Sequence, residues 1–147
     1  MTNINQEPSK EYLSQLLGDK IVGLSLLNGG RNSRTYKLIT SKGCNYIGKF
    51  YIGLTFEGKS RLEVEFSSLR FMETMGLTVV PKPIAIDVSQ GCAIHEFLEG
   101  SLIDINNICA SDVDQVADFL QCLHSNRLMP EASAITNAAE ACFSIES

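Results

Sequence analysis

The sequence predicts an α+β fold: a curled antiparallel sheet of about five strands with one packed helix, followed by further helix. Three observations carry that prediction. Apolar runs succeed one another through connections too short for crossover helices, which requires antiparallel neighbours. One amphipathic segment of helical length then interrupts the strands. Beyond Gly100 the pattern turns helical, so that sheet and helices segregate along the chain.

Each element has its own warrant. Ser9 to Leu17 places Tyr12, Leu13, Leu16 and Leu17 at helical spacing and closes on Gly18, as a short amphipathic helix does. Lys20 to Leu27 and Thr35 to Thr40 are strands around a glycine-bearing hairpin tip, and Asn45 to Ile52 follows the turn composition Ser41-Lys42-Gly43. Arg61 to Met75, ending at Gly76, is the strongest helix. Val79 to Ile86 contains Pro81 and Pro83, which confine a strand there to a sheet edge. Ser89-Gln90-Gly91 reads as a turn before the apolar strand Cys92 to Leu98. In the last third, Ser111 or Asp112 is the expected cap of a helix carrying Val113, Val116, Phe119, Leu120 and Leu123.

Length and charge narrow the function classes. A chain of 147 residues supports one compact domain, or one and a piece. Its 12 Lys+Arg against 17 Asp+Glu, with no basic run, disfavour nucleic-acid partners. The start, MTNINQEPSKEY, lacks the apolar core of a signal peptide, and no apolar run approaches bilayer length, so a cytoplasmic chain away from membranes is expected. Cys44, Cys92, Cys109, Cys122 and Cys142 are scattered and never spaced as C-x-x-C, which suits reduced core thiols rather than zinc ligands. No metal site is expected.

Two segments are candidates for phosphate chemistry. Gly53 to Ser60, GLTFEGKS, fits G-x-x-x-x-G-K-[ST], the phosphate loop of many nucleotide hydrolases. Its context is poor: a true phosphate loop follows a buried parallel strand, whereas this one follows Lys49 and two antiparallel connections, and Glu57 sets a negative charge inside the cradle.

The second candidate begins with a misplaced acid. On the helix Arg61 to Met75, Glu63, Ser67, Arg70 and Thr74 share one side while Leu62, Phe66, Leu69 and Met72 lie opposite, with Glu65 among them. A carboxylate there needs a partner. Lys49 shares a strand face with Ile47 and Tyr51, and packing the helix on that face would join the two charges. Pattern alone is equally compatible with a snorkelling lysine and a half-exposed glutamate.

In order along the chain stand LNGGRNSRTYK, YIGKFY around Lys49, RLEVEFSSLRFM around Glu65, VPKPI, HEFLEG and FLQCLH. Taken together, residues 26–124 resemble the N-terminal, ATP-binding lobe of the aminoglycoside phosphotransferase and choline kinase-like small-molecule kinases. The resemblance implies a protein kinase-like N-lobe over 20–100, an N-terminal helical segment over 1–19, and over 101–147 the helical start of an incomplete C-lobe. It implies that Lys49 holds the α- and β-phosphates of ATP and that Glu65 holds Lys49. Gly29, Gly30, Asn32 and Ser33 would form the flap over the phosphates, where backbone amides approach a polyanion closely; an ordinary hairpin turn accounts for the same residues. The backbone carbonyl of Glu96 and amide of Leu98 would meet the adenine edge, with Phe97 or Leu98 in apolar contact. His95 reads as a packed strand residue, and His124 matches the family's Leu-His signature or ends a helix.

The family's catalytic loop, His-Gly-Asp followed by Asn, and its later magnesium-binding Asp have no counterpart in these 147 residues. No catalytic residue is therefore assigned, Mg2+ is expected only with the missing lobe, and the chain alone is expected not to transfer phosphate. The acceptor, a small-molecule hydroxyl such as that of an aminoglycoside, choline or a sugar, is unnamed by the sequence. An exposed apolar surface is expected where a C-lobe chain or a second copy would dock. A non-catalytic interaction module, and a phosphate-loop hydrolase using Gly53 to Ser60, are the alternatives.

Overall fold

A computed structural model describes residues 7–29, 33–52, 55–56, 59–101 and 103–135. The chain divides into two units, Met1–Leu98 with Ala139–Ser147, and Glu99–Ala138. Among the described residues no helix is long and apolar enough to cross a membrane.

The first unit opens with α1 (Lys10–Leu17). Ser9 caps it by accepting the Tyr12 N–H, and Gly18 ends it at φ 75°, a left-handed conformation that glycine adopts without a Cβ penalty. β1 (Ile21–Gly29), β2 (Ser33–Thr40) and β3 (Asn45–Tyr51) form an antiparallel meander. Two short strands, β4 (Thr55–Phe56) and β5 (Lys59–Ser60), pair with each other and lead into α2 (Arg61–Thr74). β6 (Pro83–Asp87) and β7 (Cys92–Glu96) complete the main sheet in the order β1-β2-β3-β7-β6, every neighbour antiparallel. The five-stranded α+β architecture is as expected, and Pro83 lies on an edge strand.

Strand alternation gives the sheet two dissimilar faces. Tyr36, Leu38, Cys92 and Ile94 point to one face and meet Leu13 and Ile21 in a core whose members are at most 5% exposed. Tyr36 and Phe50 pack edge-on there, their ring centres 5.9 Å apart. Gly48 lies between the side chains of β3 on this face because Leu38 fills its place: an added Cβ would come within 3.2 Å of the leucine. The other face carries Lys49, Ala93 and His95 beside α2, whose Leu62 and Leu69 are buried.

Several boundaries differ from the sequence reading. The hairpin strands run further toward the tip, because after a bulge at Leu26/Asn28 the backbone of Gly29 still pairs with Arg34. β7 stops at Glu96 rather than Leu98. Among the described cysteines only Cys92 is a buried core thiol; Cys44 and Cys109 are exposed and Cys122 half-buried, since they lie in a turn and on an uncovered helix. Cys142 lies outside the described residues.

In the second unit, Asp104 caps a 3-10 turn at Ile105–Asn107, and α3 (Ala110–Ser125) follows. Its cap is Cys109, not Ser111 or Asp112. Asp112 instead reaches back from the third helical position, accepting the Cys109 N–H at 2.9 Å and its thiol at 3.1 Å, which is the acid's half of a capping box. Val113, Val116 and Leu120, one stripe of α3, are each more than half exposed.

Two outcomes are expected from these packing facts. Leu13→Ala removes the fully buried anchor of α1 and should destabilise the first unit by roughly 2–5 kcal/mol in urea unfolding. The apolar stripe of α3 should bind a hydrophobic dye in the native chain, and the binding should fall when Val116 and Leu120 are changed to Ser, with the unfolding midpoint of the first unit unmoved.

Candidate functional site

Lys49 stands on the central strand of the sheet, opposite Thr35 of β2 and Ala93 of β7. Its ammonium nitrogen lies 2.8 Å from Oε1 and 2.7 Å from Oε2 of Glu65. The misplaced acid of α2 thus has its partner. With side chains 25% and 37% exposed, the pair contributes only on the order of 1 kcal/mol net to stability. Its consequence is geometric: losing either member leaves a half-buried charge, so strand and helix hold one another's functional group in place.

The start of α2 explains why Glu63 is not the partner. Ser60 Oγ accepts the Glu63 N–H, while the Glu63 carboxylate accepts the Ser60 N–H at 3.0 Å and its hydroxyl at 2.8 Å. This capping box uses Ser60 as a helix start. In the competing phosphate-loop pattern, Thr55 pairs with Ser60 and Phe56 with Lys59 as antiparallel strands, and the preceding β3 has antiparallel neighbours on both sides. Neither feature is that of a phosphate loop. Residues 53, 54, 57 and 58 of the pattern lie outside the described residues.

Two aromatic side chains flank the ion pair on β3 and β7. Tyr51 lies under the lysine, whose nitrogen is 4.9 Å from the ring centre, within cation–π range. Its hydroxyl is buried and makes no well-formed hydrogen bond among the described residues; burial, then the nearby Glu65 carboxylate, raises the phenol pKa. His95 is 3% exposed, 6.1 Å from the Phe66 ring centre, and neither ring nitrogen has a hydrogen-bond partner among the described residues. Burial lowers the imidazole pKa below 6.5; Glu65 pulls it up and Lys49 pushes it further down.

The remaining sequence-selected residues fall at opposite ends of the same track. Toward one end, β3 pairs Tyr46 with Glu96, the last residue of β7. The Glu96 N–H donates to the Lys82 carbonyl at 2.8 Å, and its carboxylate accepts the Lys82 N–H at 3.2 Å. Leu98, two residues on, is exposed. Toward the other end, Ser33 opens β2 opposite Tyr51, and the Gly29 backbone pairs with Arg34. Gly30 and Asn32 lie outside the described residues. Sequence reasoning overlooked Lys37, whose ammonium sits 4.3 Å over the Phe97 ring. The sequence carries no local signal for it: Lys37 pairs with Ile47 and Ile47 with His95, one row across three strands that only the register defines.

The chain is similar in structure to a solved aminoglycoside phosphotransferase, APH(2″)-IIa, in a ternary complex with streptomycin and ATP, at a TM-score of 0.58 and 23% identity over 84% of this chain. The fold is that of a kinase-like N-lobe. A protein described as a fructosamine-3-kinase, from Thermobifida fusca, aligns over 65% of this chain at 13% identity with a TM-score of 0.47. The chain spans 43% and 32% of those two proteins, less than half of each. No protein-family model matches the chain, and no curated protein does.

The kinase-like lobe should report its buried imidazole through pH. Because the folded His95 pKa lies below 6.5, the unfolded chain binds the extra proton first. The His95 contribution to stability is therefore complete above that value and is lost as pH falls through it toward the folded pKa. Urea unfolding of wild type and His95→Phe between about pH 7.5 and pH 5 should show a smaller acid loss in the variant; equal slopes would refute the expectation.

Proposed function

We propose that this chain is the ATP-binding lobe of a phosphotransferase acting on a small-molecule hydroxyl, and that it is inactive as this chain alone. The observation that carries the proposal is the Lys49–Glu65 ion pair, which joins the central strand to the packed helix in a kinase-like sheet. A triphosphate needs a cation with a fixed direction, and a lone flexible ammonium does not supply one. Lys49 meets that need, being held by a carboxylate while still a quarter exposed.

In this reading Lys49 binds the α- and β-phosphates and Glu65 aims it. Gly29, Gly30, Asn32 and Ser33 cover the phosphates with backbone amides and small polar groups. The Glu96 carbonyl and Leu98 amide bind the base. Ser33 stands opposite Tyr51 and Glu96 opposite Tyr46, toward opposite ends of β3, so in this reading the phosphates and the base lie at opposite ends of that strand. The bound nucleotide supplies the phosphoryl group. Magnesium and the oriented acceptor are left to residues outside this chain, because no His-Gly-Asp loop occurs in its 147 residues. Residues 20–100 then form the nucleotide-binding lobe, preceded by the helical segment 1–19, and 101–147 begin the second lobe of a cytoplasmic enzyme. The streptomycin in the APH(2″)-IIa complex makes aminoglycosides one acceptor class to test, beside choline and sugars.

A second reading draws on the exposed stripe Val113, Val116 and Leu120: a non-catalytic module that binds a C-lobe chain or a second copy of itself. Calorimetric titration with Mg·ATP separates the readings. Wild type should bind, Lys49→Ala should lose at least about tenfold in affinity, and Lys59→Ala should bind like wild type. Loss in Lys59→Ala alone would transfer the site to the phosphate-loop pattern. A folded wild type that binds no Mg·ATP would favour the interaction module.

A further inference from the structure

Lys37 lies in the middle of β2, paired with Ser25 of β1 on one side and Ile47 of β3 on the other, so its backbone is fixed from both sides. Its ammonium does not follow the pattern of Lys49. Among the described residues no carboxylate lies within ion-pair distance of it. Its nitrogen sits instead 4.3 Å above the centre of the Phe97 ring, inside cation–π range. The contact joins strands that are not neighbours, because Phe97 follows β7 and β3 separates β7 from β2, a gap of about 10 Å at the usual strand spacing. The lysine reaches over β3 to meet the ring.

Phe97 is where such a hold matters. β7 ends at Glu96, whose pairing with Tyr46 is the last between β3 and β7. Glu96 is itself tied to Lys82, its N–H donating to the Lys82 carbonyl at 2.8 Å and its carboxylate accepting the Lys82 N–H at 3.2 Å. Leu98 is exposed and lies outside any strand. Between the two stands one aromatic side chain, and holding its ring restricts the backbone on either side, since a given rotamer suits only part of φ/ψ space. We propose that Lys37 is a positioning residue: its ammonium holds the Phe97 ring and so fixes the backbone from the Glu96 carbonyl to the Leu98 amide, the stretch that receives the base. The assignment of the base to that stretch rests on the nucleotide-binding reading. The hold itself does not, and the two are tested apart.

The hold is read from backbone nitrogen relaxation of the native chain without nucleotide. The Leu98 amide should have an order parameter near the rigid value of about 0.85 in wild type and fall toward about 0.6 in Lys37→Met, which keeps the stem and removes the charge. Lys37→Arg should restore it, because a guanidinium serves the ring as well as an ammonium does. Phe97→Leu should lower it as Lys37→Met does, and the double variant should fall no further. A mobile Leu98 in wild type, or one equally rigid in Lys37→Met, would overturn the proposal. Phe97→Leu carries the test alone if Lys37→Met does not fold.

The base is read by comparing Mg·ATP with Mg·tripolyphosphate, which carries the phosphates and no base. Lys37→Met should bind Mg·ATP about two- to fivefold more weakly than wild type and Mg·tripolyphosphate equally well, whereas Lys49→Ala should lose affinity for both. Lys37→Arg should bind Mg·ATP like wild type. An equal loss of both ligands in Lys37→Met would overturn the proposal, because Lys37 would then act on the phosphates as a charge. Unchanged Mg·ATP affinity in Lys37→Met would overturn it while leaving the nucleotide-binding reading intact. If wild type binds neither ligand but Leu98 still loosens in Lys37→Met, the nucleotide-binding reading fails and the hold on Leu98 stands.

Discussion

The ion pair between Lys49 and Glu65 is the constraint around which the first unit is arranged. Neither charge is at home where it lies: the lysine is on the central strand of a sheet and the glutamate among the apolar residues of a helix. Each makes the other tolerable, and together they fix the rotation of α2 about its own axis. A turn of the helix by one residue would swing Glu65 through about 100° and leave Lys49 facing Val64 or Phe66. The capping box between Ser60 and Glu63 sets where that helix begins, and so sets its phase. A few residues of local chemistry thus decide whether a long-range charge pair can form.

The two faces of the sheet are unlike in chemistry. Beneath α1, the Leu13, Leu38 and Ile94 core is dry and nearly unexposed, and Gly48 is left without a side chain so that Leu38 can fill the middle. The opposite face keeps two buried polar side chains, Tyr51 and His95, that make no well-formed hydrogen bond among the described residues, an arrangement that costs stability. Strand alternation makes this division possible, since Lys49 and Phe50 are adjacent in sequence and point to opposite faces. The core face carries the fold while the other face tolerates unsatisfied chemistry.

Much of this was legible in the sequence because the deciding signals were local. Ser9 and Gly18 bracket α1, the turn Ser41-Lys42-Gly43 separates β2 from β3, and the two prolines assign β6 to an edge. Glu65 announced its need for a partner through its phase alone. Reading failed where a boundary depended on pairing. The ends of β1 and β2 are set by the hydrogen bonds between Gly29 and Arg34 across the hairpin, which no residue preference encodes. The Cys109 cap was hidden because the visible signal, Asp112, acts three residues behind its own position. Lys37 escaped for a third reason: its place beside Phe97 comes from a row spanning several strands, and a row exists only once the register is known.

The order β1-β2-β3-β7-β6 explains why the candidate site forms where it does. The meander alone would leave β3 as an edge, with Lys49 in water and no use for a carboxylate. Inserting β7 between β3 and β6 buries that strand's other side and brings His95 into the row of Ile47. Because β7 lies more than forty residues beyond Lys49, this pairing closes a long loop, and α2 sits within that loop. Forming the sheet therefore draws the helix toward the face that carries Lys49. Charge pairing and strand insertion are in this sense one event, and the lysine meets its carboxylate only where the complete five-stranded order has formed.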